Sequence, residues 1–244
     1  MSKPPRFFIT PEQVRDPYVT ITGDDLRHIR TVLRKQPGDL LILLDGQGRE
    51  YTVRITAIEK TEIDAEILER RTRGLPVMRV TLGQGLPKSD KMDLIVQKAT
   101  ELGVSTIVPL TTERTIVKVK DEEKRRERWQ KIAREAAMQC DRPDIPHVSA
   151  MSRFSAFIRT ASPDPRALLL LPWEEGTEPV KEVLRGHPDA KHVFVLIGPE
   201  GGFSSAEAEA AKDRGFHLVS LGPNILRTET AAVAVLSIIG YEYY

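Results

Sequence analysis

Residues 196–207, LIGPEGGFSSAE, decide the fold. The apolar run Val193–Ile197 ends abruptly at Gly198, two more glycines follow, and Ser204 precedes Glu207 by three residues, which is the spacing of a helix capping box. The order is therefore strand, glycine turn, helix. This arrangement points backbone N–H groups at a ligand above the strand end, as in many α/β proteins that hold nucleotide-like molecules.

The composition is that of a globular protein. The chain has 244 residues, 40% of them hydrophobic, and its 36 basic residues nearly balance 35 acidic ones, for a net charge of +1. The single cysteine, Cys140, excludes an internal disulfide, and the first ten residues lack the apolar segment of a secretion signal. The longest apolar run, 231–240, is about half the ~20 residues that a membrane-spanning helix needs. We therefore expect a cytoplasmic protein without a membrane role.

Two domains are predicted, with a boundary near residue 73. Residues 39–68 contain β-prone runs around the turn residues Asp45 and Gly46, which predicts a small module resembling a β-barrel. The polar and basic segment 69–76 predicts a linker. The chain is accordingly divided into domains 1–73 and 74–244.

Strands and helices alternate in the second domain. Residues 167–171, 192–197 and 217–221 are nearly continuous apolar runs, and helical patterns separate them. Such runs are typical of a parallel sheet with helices on both faces. The predicted fold class is therefore α/β with a mostly parallel sheet.

Several familiar sites are excluded by inspection. Residues 83–89, GQGLPKS, end like a phosphate loop, but Leu82 and Pro87 stand where that motif requires glycine. No segment has the three-glycine dinucleotide fingerprint or the G-x-S-x-G turn of a serine hydrolase. One cysteine and five scattered histidines give no zinc-ligand spacing, so no metal is expected.

The loops that follow the three apolar runs form one candidate pocket, because parallel strands end at the same edge of a sheet. These loops contain one arginine, Arg227, no lysine, and several carboxylates. The carboxylates are Glu174, Glu175, Glu200 and Glu229. A phosphate ~4 Å from one carboxylate would meet a repulsion of about 1 kcal/mol in water and about 4 kcal/mol at an effective dielectric near 20. The excess of negative charge in these loops favours a ligand with hydroxyls and a positive charge, such as S-adenosylmethionine.

A purely structural interpretation of the same loop stays open at this point. Glu200 could be no more than a partner of the helix dipole, and Glu207 no more than half of a capping box.

Longer motifs resemble a known family. IGPEGGFSSAE (197–207) and LGPNILRTETAAVAVL (221–236), preceded by QKATELGVSTIVPLTTERT (97–115) and RWQKIAREAAMQCDRPDIP (128–146), resemble the bacterial 16S ribosomal RNA uridine-N3 methyltransferases of the SPOUT, or trefoil-knot, superfamily. The similarity covers essentially the whole chain, including HIRTVLRKQPGD (28–39).

The resemblance implies a trefoil knot in domain 74–244, a PUA-like RNA-binding barrel in domain 1–73, and a homodimer whose active site lies near the interface. The substrate would be 16S ribosomal RNA of the small subunit, and the cofactor S-adenosylmethionine would bind in the knot loops. The implied cofactor-binding residues are Leu171, Pro172, Ile197, Gly198, Pro199, Glu200, Gly201, Gly202, Leu221, Gly222, Asn224, Ile225 and Leu226.

Methylation of uridine N3 requires removal of a proton and stabilisation of the negative charge that spreads to O2 and O4. We expect Arg227 to face these oxygens, and Glu229 or Glu200 to accept the proton or to position a water that does. A salt bridge between Arg227 and either glutamate is the alternative interpretation.

RNA contacts are predicted on a helix that follows Thr22. Arg27, Arg30 and Arg34 recur at helical spacing there, with Lys35 beside them, and would form one basic face suited to a phosphate backbone. Further predicted contacts, from their positions in the matching motifs, are Arg6, Lys88, Lys91, Arg114 and Arg142.

Three other functions are weighed. A methyltransferase acting on another RNA nucleotide stays within the superfamily, and a non-catalytic RNA-binding or ribosome-assembly factor would retain the fold without the reaction. A dinucleotide-dependent oxidoreductase is disfavoured because its fingerprint is missing.

Overall fold

A computed structural model describes residues 3–74, 76–117, 119–161, 164 and 166–243. The chain divides into two compact units. The first comprises Met1–Leu75 and Ala137–Ile145, and the second comprises Pro76–Ala136 and Pro146–Tyr244. A contiguous boundary near residue 73 therefore misses one feature, because residues 137–145 belong to the first unit and not to the second.

The first unit is built on a six-stranded sheet with the order β1-β4-β5-β6-β3-β2. Its strands are β1 (Arg6–Phe8), β2 (Val14–Arg15), β3 (Tyr18–Ile21), β4 (Leu40–Leu44), β5 (Arg49–Ile58) and β6 (Ile63–Thr72). β1 and β4 are parallel, and every other pair is antiparallel. Alternate residues on these strands, such as Leu41, Leu43, Val53 and Ile55, are buried in one core, which confirms the predicted hairpin-rich module.

The turn between β4 and β5 shows why the chain reverses there. Gly46 and Gly48 have φ of +70° and +92°, a region that glycine adopts without strain. The Asp45 carboxylate accepts hydrogen bonds from the backbone N–H groups of Gln47 and Arg49, at 2.8 and 3.0 Å.

The predicted linker 69–76 is wrong in its first half. Residues 69–72 continue β6 and pair with β5, where Arg49 lies opposite Thr72. The polar composition of this stretch reflects an exposed strand end and not a loop. Leu75, within the predicted linker, lies outside the described residues.

The predicted basic helix face is also wrong. Helix α1 spans only Asp24–Arg27, and a wider helical turn over His28–Val32 follows it. The backbone N–H of Lys35 then closes on the Ile29 carbonyl at 3.1 Å, and Arg34 has φ of +51°. Pro37 follows and cannot continue a helix. Arg34 therefore leaves the helix, so its spacing from Arg27 no longer places the two on one face.

Residues 137–145 pack into the first unit through apolar and ionic contacts. Ala137 is buried in a cluster with Phe8 and Leu44. Asp141 pairs with Arg6, whose Nε lies 2.9 Å from Asp141 Oδ1. Local sequence patterns do not show that the segment 137–145 belongs to the first unit, because this depends on contacts such as that between Arg6 and Asp141, which are more than a hundred positions apart.

The second unit contains an eight-stranded sheet in which all pairs are parallel. Its order is β10-β8-β7-β13-β11-β14-β12, with β9 beside β8. The strands are β7 (Arg79–Gly85), β8 (Thr106–Thr111), β9 (His147–Val148), β10 (Ser152–Arg153), β11 (Ala167–Pro172), β12 (Glu178–Pro179), β13 (His192–Ile197) and β14 (His217–Ser220). The predicted parallel sheet is confirmed.

Six helices belong wholly or mainly to this unit in the described part of the chain. They are α2 (Lys91–Glu101), α3 (Glu122–Gln139), α4 (Phe154–Thr160), α5 (Val180–Arg185), α6 (Ser205–Lys212) and α7 (Thr228–Tyr243). Phe194 and Leu196 of β13 pack in one cluster with residues of α4 and α6. Helix α7 contacts β13 and also packs against α2 and α5, which together form a second group of helices. Successive strand residues point to opposite faces, so the two helix groups cover both sides of the sheet.

No helix in the described ranges is long and apolar enough to span a bilayer. Within the same ranges, no group of three or more His, Cys, Asp or Glu side chains is arranged to hold a metal ion.

Candidate functional site

Three neighbouring strands end at one cavity. β13, β11 and β14 are adjacent and parallel, and the loops after Pro172, Ile197 and Ser220 leave the same edge of the sheet. They enclose a cavity of about 490 Å³, within the range of roughly 300–1,000 Å³ typical of small-molecule sites. The single pocket predicted from the three strand ends is present.

The predicted cofactor residues lie on its wall, with two exceptions. Those that line the cavity are Pro172, Ile197, Gly198, Pro199, Glu200, Gly202, Leu221, Gly222, Asn224, Ile225 and Leu226. Leu171, within β11, is instead completely buried in the core, and Gly201 lies against Arg114.

The glycine turn after β13 is shaped by close backbone packing. A side chain at Gly198 would place its Cβ 2.9 Å from the backbone of Gly202, and one at Gly85 would come within 2.6 Å of Pro199. Gly202 has φ of +68° and donates a 2.9 Å hydrogen bond to the Pro199 carbonyl. Glycine at these positions therefore lets the turn fold tightly at the cavity wall.

Glu207 forms the cap of α6. Ser204 Oγ accepts from the Glu207 backbone N–H at 3.2 Å, and the Glu207 carboxylate accepts in return from the Ser204 N–H at 3.1 Å. The same carboxylate accepts from the Glu113 N–H at 2.9 Å. The capping box is confirmed, and the structural interpretation of Glu207 is the correct one.

Glu200 lies outside the α6 cap and binds Lys88 and Lys91. Its two carboxylate oxygens lie 3.0 and 3.2 Å from the backbone nitrogen of Lys88, which donates to them, and one lies 3.1 Å from Lys91 Nζ. Burial would raise the pKa of Glu200, but the backbone N–H groups and Lys91 outweigh burial and lower it. Glu200 is therefore ionised at neutral pH and fastens the loop before α2.

Lys91 joins two carboxylates. Its Nζ lies 3.1 Å from Glu200 Oε1 and 3.4 Å from Glu229 Oε2, while its own side chain lines the cavity. The hydrogen bond to Glu200 is the main cause of the raised pKa of Lys91. Glu229 Oε2 is buried without a hydrogen bond of good geometry. Glu229 itself is not among the cavity-lining residues, whereas Lys91, which it contacts, is.

Lys91 is the most important cavity residue that the sequence-based prediction of the pocket did not include. The three loops contain no lysine, but the cation arrives from the first turn of α2, more than a hundred residues before Glu200. Lys91 was predicted as an RNA contact, and the structure places it at the cavity wall, a position that the prediction did not include.

Arg227 lines the mouth of the cavity with an exposed side chain. Among the described residues, its guanidinium has no hydrogen bond or ion pair with the protein. The alternative interpretation, a salt bridge to Glu200 or Glu229, is not what the structure contains.

Thr228 links three segments beneath the cavity. Its Oγ1 donates to the Gly198 carbonyl at 2.6 Å and accepts from Gln84 Nε2 at 2.9 Å. Gln84 is completely buried at the end of β7 and also donates to the Gly85 carbonyl. The signal that could have revealed Gln84 is a polar residue inside an apolar strand.

Trp173 and Glu174 also line the cavity, immediately after β11. Trp173 was not predicted, although an aromatic residue directly after a buried strand end is a recognisable ligand-contact signal.

Several predicted RNA contacts are occupied within the protein. Arg114 Nη1 donates to the Gly201 carbonyl at 2.7 Å, so it clamps the glycine turn. Arg142 is buried in a two-point pair with Asp144. Arg6 is largely buried, 2.9 Å from Glu50 Oε2.

The other predicted RNA contacts are more accessible. Arg30 Nη1 makes only long, 3.4 Å contacts with the carbonyls of Glu59 and Lys60, and Lys35 lies 3.9 Å from Asp39. The side chains of Arg27, Arg34 and Lys88 are exposed and, among the described residues, have no ion pair.

Comparison with known proteins gives two family matches. The family described as RNA methyltransferase domain matches residues 73–240, and the family described as RNA methyltransferase PUA domain matches residues 21–68.

Curated and solved relatives cover nearly the whole chain. Ribosomal RNA small subunit methyltransferase E from Bacillus subtilis is 33% identical, over 97% of this chain and 96% of its own length. The protein of the same name from Aquifex aeolicus is 34% identical, over 93% of this chain and 96% of its own. The crystal structure of ribosomal RNA small subunit methyltransferase E from Neisseria gonorrhoeae, bound to S-adenosylmethionine, is 33% identical with a TM-score of 0.87, over 97% of each chain.

Proposed function

Since the chain belongs to the RNA methyltransferase family, we propose that it uses S-adenosylmethionine to methylate N3 of a uridine in 16S ribosomal RNA of the small subunit. The observation that carries this proposal is the cavity where the loops after β11, β13 and β14 meet. The structural relative from Neisseria gonorrhoeae, bound to S-adenosylmethionine, supports the cofactor, and its TM-score of 0.87 supports a shared fold, for which the sequence resemblance implies a trefoil knot.

The residues of the cavity fit this cofactor. The close-packed glycine turn at Gly198 and Gly202 brings backbone polar groups to the wall, where they can bind an adenine edge. The Glu174 and Glu200 carboxylates can accept hydrogen bonds from hydroxyls and attract positive charge. Trp173 offers an aromatic face. The cofactor, when bound, supplies a methyl group activated by a sulfonium.

Arg227 is the residue best placed to act on the uracil. Its guanidinium is exposed at the cavity mouth and unpaired within the described chain, so it is free to bind the uracil oxygens. A fixed positive charge there stabilises the anion that forms when N3 loses its proton. Arginine keeps that charge at every pH in the physiological range.

The two glutamates divide the remaining roles. Glu200 lines the cavity, but its lowered pKa makes it a weak base, so we assign it to hold a water or a cofactor group in place. Glu229 acts through Lys91, its neighbour on the cavity wall. Proton removal then depends mainly on the charge of Arg227 and on water.

The first unit supplies the RNA contacts in this proposal. The PUA-domain match covers most of its sheet. Arg27 and Arg34 expose charged side chains, and Arg30 is held only by long contacts. These cations would bind phosphates, although not as the regular helical stripe that their spacing suggested.

A homodimer is the proposed assembly. Helix α7 is apolar beyond its buried face: Ala232, Val235 and Ile239 are buried, whereas Val233, Ala234 and Ile238 are only partly buried. An apolar helix that is only partly covered is typical of a subunit interface. α7 begins with Thr228 at the cavity, so the interface would lie near the active site.

The test compares small-subunit RNA from cells with and without the gene by mass spectrometry. The proposal predicts one uridine that loses a methyl group on its base when the gene is deleted and regains it when the gene is restored. If a methyl group is missing from another nucleotide, the proposal of an RNA methyltransferase stands and the proposal of a uridine substrate is rejected. Unchanged RNA would favour a non-catalytic assembly factor.

A further inference from the structure

Lys91 has a place in the site that the proposed reaction leaves unexplained. Its side chain lines the cavity, yet its ammonium is shared by Glu200 at 3.1 Å and Glu229 at 3.4 Å. The three side chains are partly buried, with exposed fractions of 30% for Lys91, 28% for Glu200 and 18% for Glu229. Charges in such positions are screened less by solvent than surface charges.

The three groups form a cluster with one net negative charge. Two carboxylates face one ammonium, and no further charged group contacts this cluster among the described residues. The other charged residues on the cavity wall, Glu174 and Arg227, cancel one another in number. The four charged lining residues therefore sum to zero, and the residual negative charge beside the cavity comes from Glu229, which lies 3.4 Å from Lys91. The charge of Lys91 determines how much of this negative charge is compensated.

The charge of the ligand changes during the reaction. S-adenosylmethionine carries a sulfonium, an ammonium and a carboxylate, and has one net positive charge. After methyl transfer, S-adenosylhomocysteine has lost the sulfonium charge and is neutral overall. A wall with a residual negative charge attracts the first more than the second, because Coulomb energy depends on the product of the charges.

We propose that Lys91, held between Glu200 and Glu229, is a specificity-determining residue that sets how strongly the site prefers the cationic methyl donor over its neutral product. This inference rests on the proposed cofactor. Glu229 contributes to the same charge through its contact with Lys91, without lining the cavity. The arrangement keeps one unit of negative charge, which attracts the cationic donor more than the neutral product.

The test measures, by calorimetry without RNA, the affinities of three ligands: S-adenosylmethionine, S-adenosylhomocysteine and sinefungin. Sinefungin is an analogue in which an amine-bearing carbon replaces the sulfonium. Lys91→Met leaves two carboxylates uncompensated. Because the Coulomb attraction of a cation grows with the uncompensated negative charge, the preference for either cation over S-adenosylhomocysteine should rise by roughly 2-fold or more.

Glu229→Gln is the opposite probe. It removes one negative charge, keeps the shape of the side chain, and touches a residue outside the cavity lining. The preference for the cationic ligands should fall by a similar factor. This variant also tests the proposal if Lys91→Met does not fold.

Two controls separate charge from structure. Lys91→Arg keeps the cation and should keep the wild-type ratio of affinities. Lys88→Met changes a lysine three residues before α2 whose exposed side chain has no ion pair with either carboxylate; its backbone N–H, which donates to Glu200, is kept, so the ratio should stay unchanged. At high salt, the difference between Lys91→Met and the wild type should shrink.

The proposal is overturned if Lys91→Met weakens all three ligands by the same factor, which would make Lys91 a structural strut. It is also overturned if Glu229→Gln leaves the ratio unchanged. If the wild-type protein binds none of the three ligands, the proposed function fails instead, and the two failures are distinguishable.

Discussion

Both carboxylate oxygens of Glu200 lie within hydrogen-bonding distance of the backbone nitrogen of Lys88, at 3.0 and 3.2 Å. Lys88 belongs to residues 83–89, the segment that ends like a phosphate loop but lacks its glycines. The anion that this turn holds is a side chain of the protein itself. A carboxylate more than a hundred residues away therefore fastens the loop in front of α2 to the glycine turn after β13.

The first prediction concerns the pH dependence of this contact. The pKa of Glu200 is lowered in the folded protein. A lowered carboxylate pKa stabilises the fold at pH values above its unfolded value, near 4. That contribution is lost as the pH falls through the lower, folded value. Thermal unfolding of Glu200→Gln should accordingly show a smaller loss of melting temperature than the wild type between pH 5 and pH 3, with both proteins approaching each other at the acid end. Parallel curves across this window would contradict the assigned contact.

The second prediction isolates Arg227. Replacing Arg227 with Ala removes an exposed cation that has no partner among the described residues, so folding and cofactor affinity should stay close to wild type. Turnover on ribosomal RNA should fall by ~100-fold or more, as for other groups that stabilise a developing negative charge. Cofactor affinity from calorimetry and turnover from transfer of a labelled methyl group check the two halves separately. Near-normal turnover would remove Arg227 from the chemistry.

The third prediction concerns Arg6, which the sequence motifs suggested as an RNA contact. Arg6 and Glu50 form a largely buried pair at 2.9 Å, and Arg6 also holds Asp141 of the segment 137–145. Replacing Arg6 with Ala leaves the buried Glu50 carboxylate with only the longer, 3.4 Å contact to Arg73 among the described residues, so the cost should approach the lower end of the range for a broken buried pair, about 3 kcal/mol. Denaturant unfolding should therefore show a large loss of stability.

The matched control for Arg6 is the double variant Arg6→Met with Glu50→Gln, which removes both charges and should recover part of that loss. A stable Arg6→Ala variant with weakened RNA binding would restore the original expectation for this residue.

The fourth prediction addresses the RNA surface. Replacing Arg30 and Arg34 with Gln removes two cations of the first unit that have no ion pair among the described residues. Each lost phosphate contact should reduce the slope of log affinity against log salt concentration by about 0.7–0.9. The measurement is a titration of a small-subunit RNA fragment at several salt concentrations. Arg159→Gln, at an exposed position on α4, is the control, and equal slopes for the two variants would exclude the Arg30–Arg34 region from the interface.

The local features of the site could be predicted from the sequence. The strand, glycine turn and helix of residues 196–207 depend on neighbouring residues, and the capping box of Ser204 and Glu207 follows from a spacing of three. The meeting of three loops at one edge follows from parallel pairing of apolar strands. Each of these inferences needs only short-range geometry and a general rule about sheets.

The features that the sequence-based predictions missed depend on contacts between distant residues or on a local change of helix geometry. Lys91 meets Glu200 and Glu229 only after the chain has folded, so the loops alone suggested a cavity without lysine. The segment 137–145 joins the first unit through Arg6 and Asp141. The helix after Thr22 widens at His28 and ends before Arg34, which ideal helical periodicity does not anticipate.

The central claim is that the cavity at the ends of β11, β13 and β14 binds S-adenosylmethionine. Trp173 lines that cavity, whereas Trp129 is buried in α3, so tryptophan fluorescence can report binding at the site. S-adenosylmethionine should change the emission of the wild type and of Trp129→Phe, but not that of Trp173→Phe, and neither ATP nor NAD should produce the change. A response to ATP or NAD without one to S-adenosylmethionine would contradict the account.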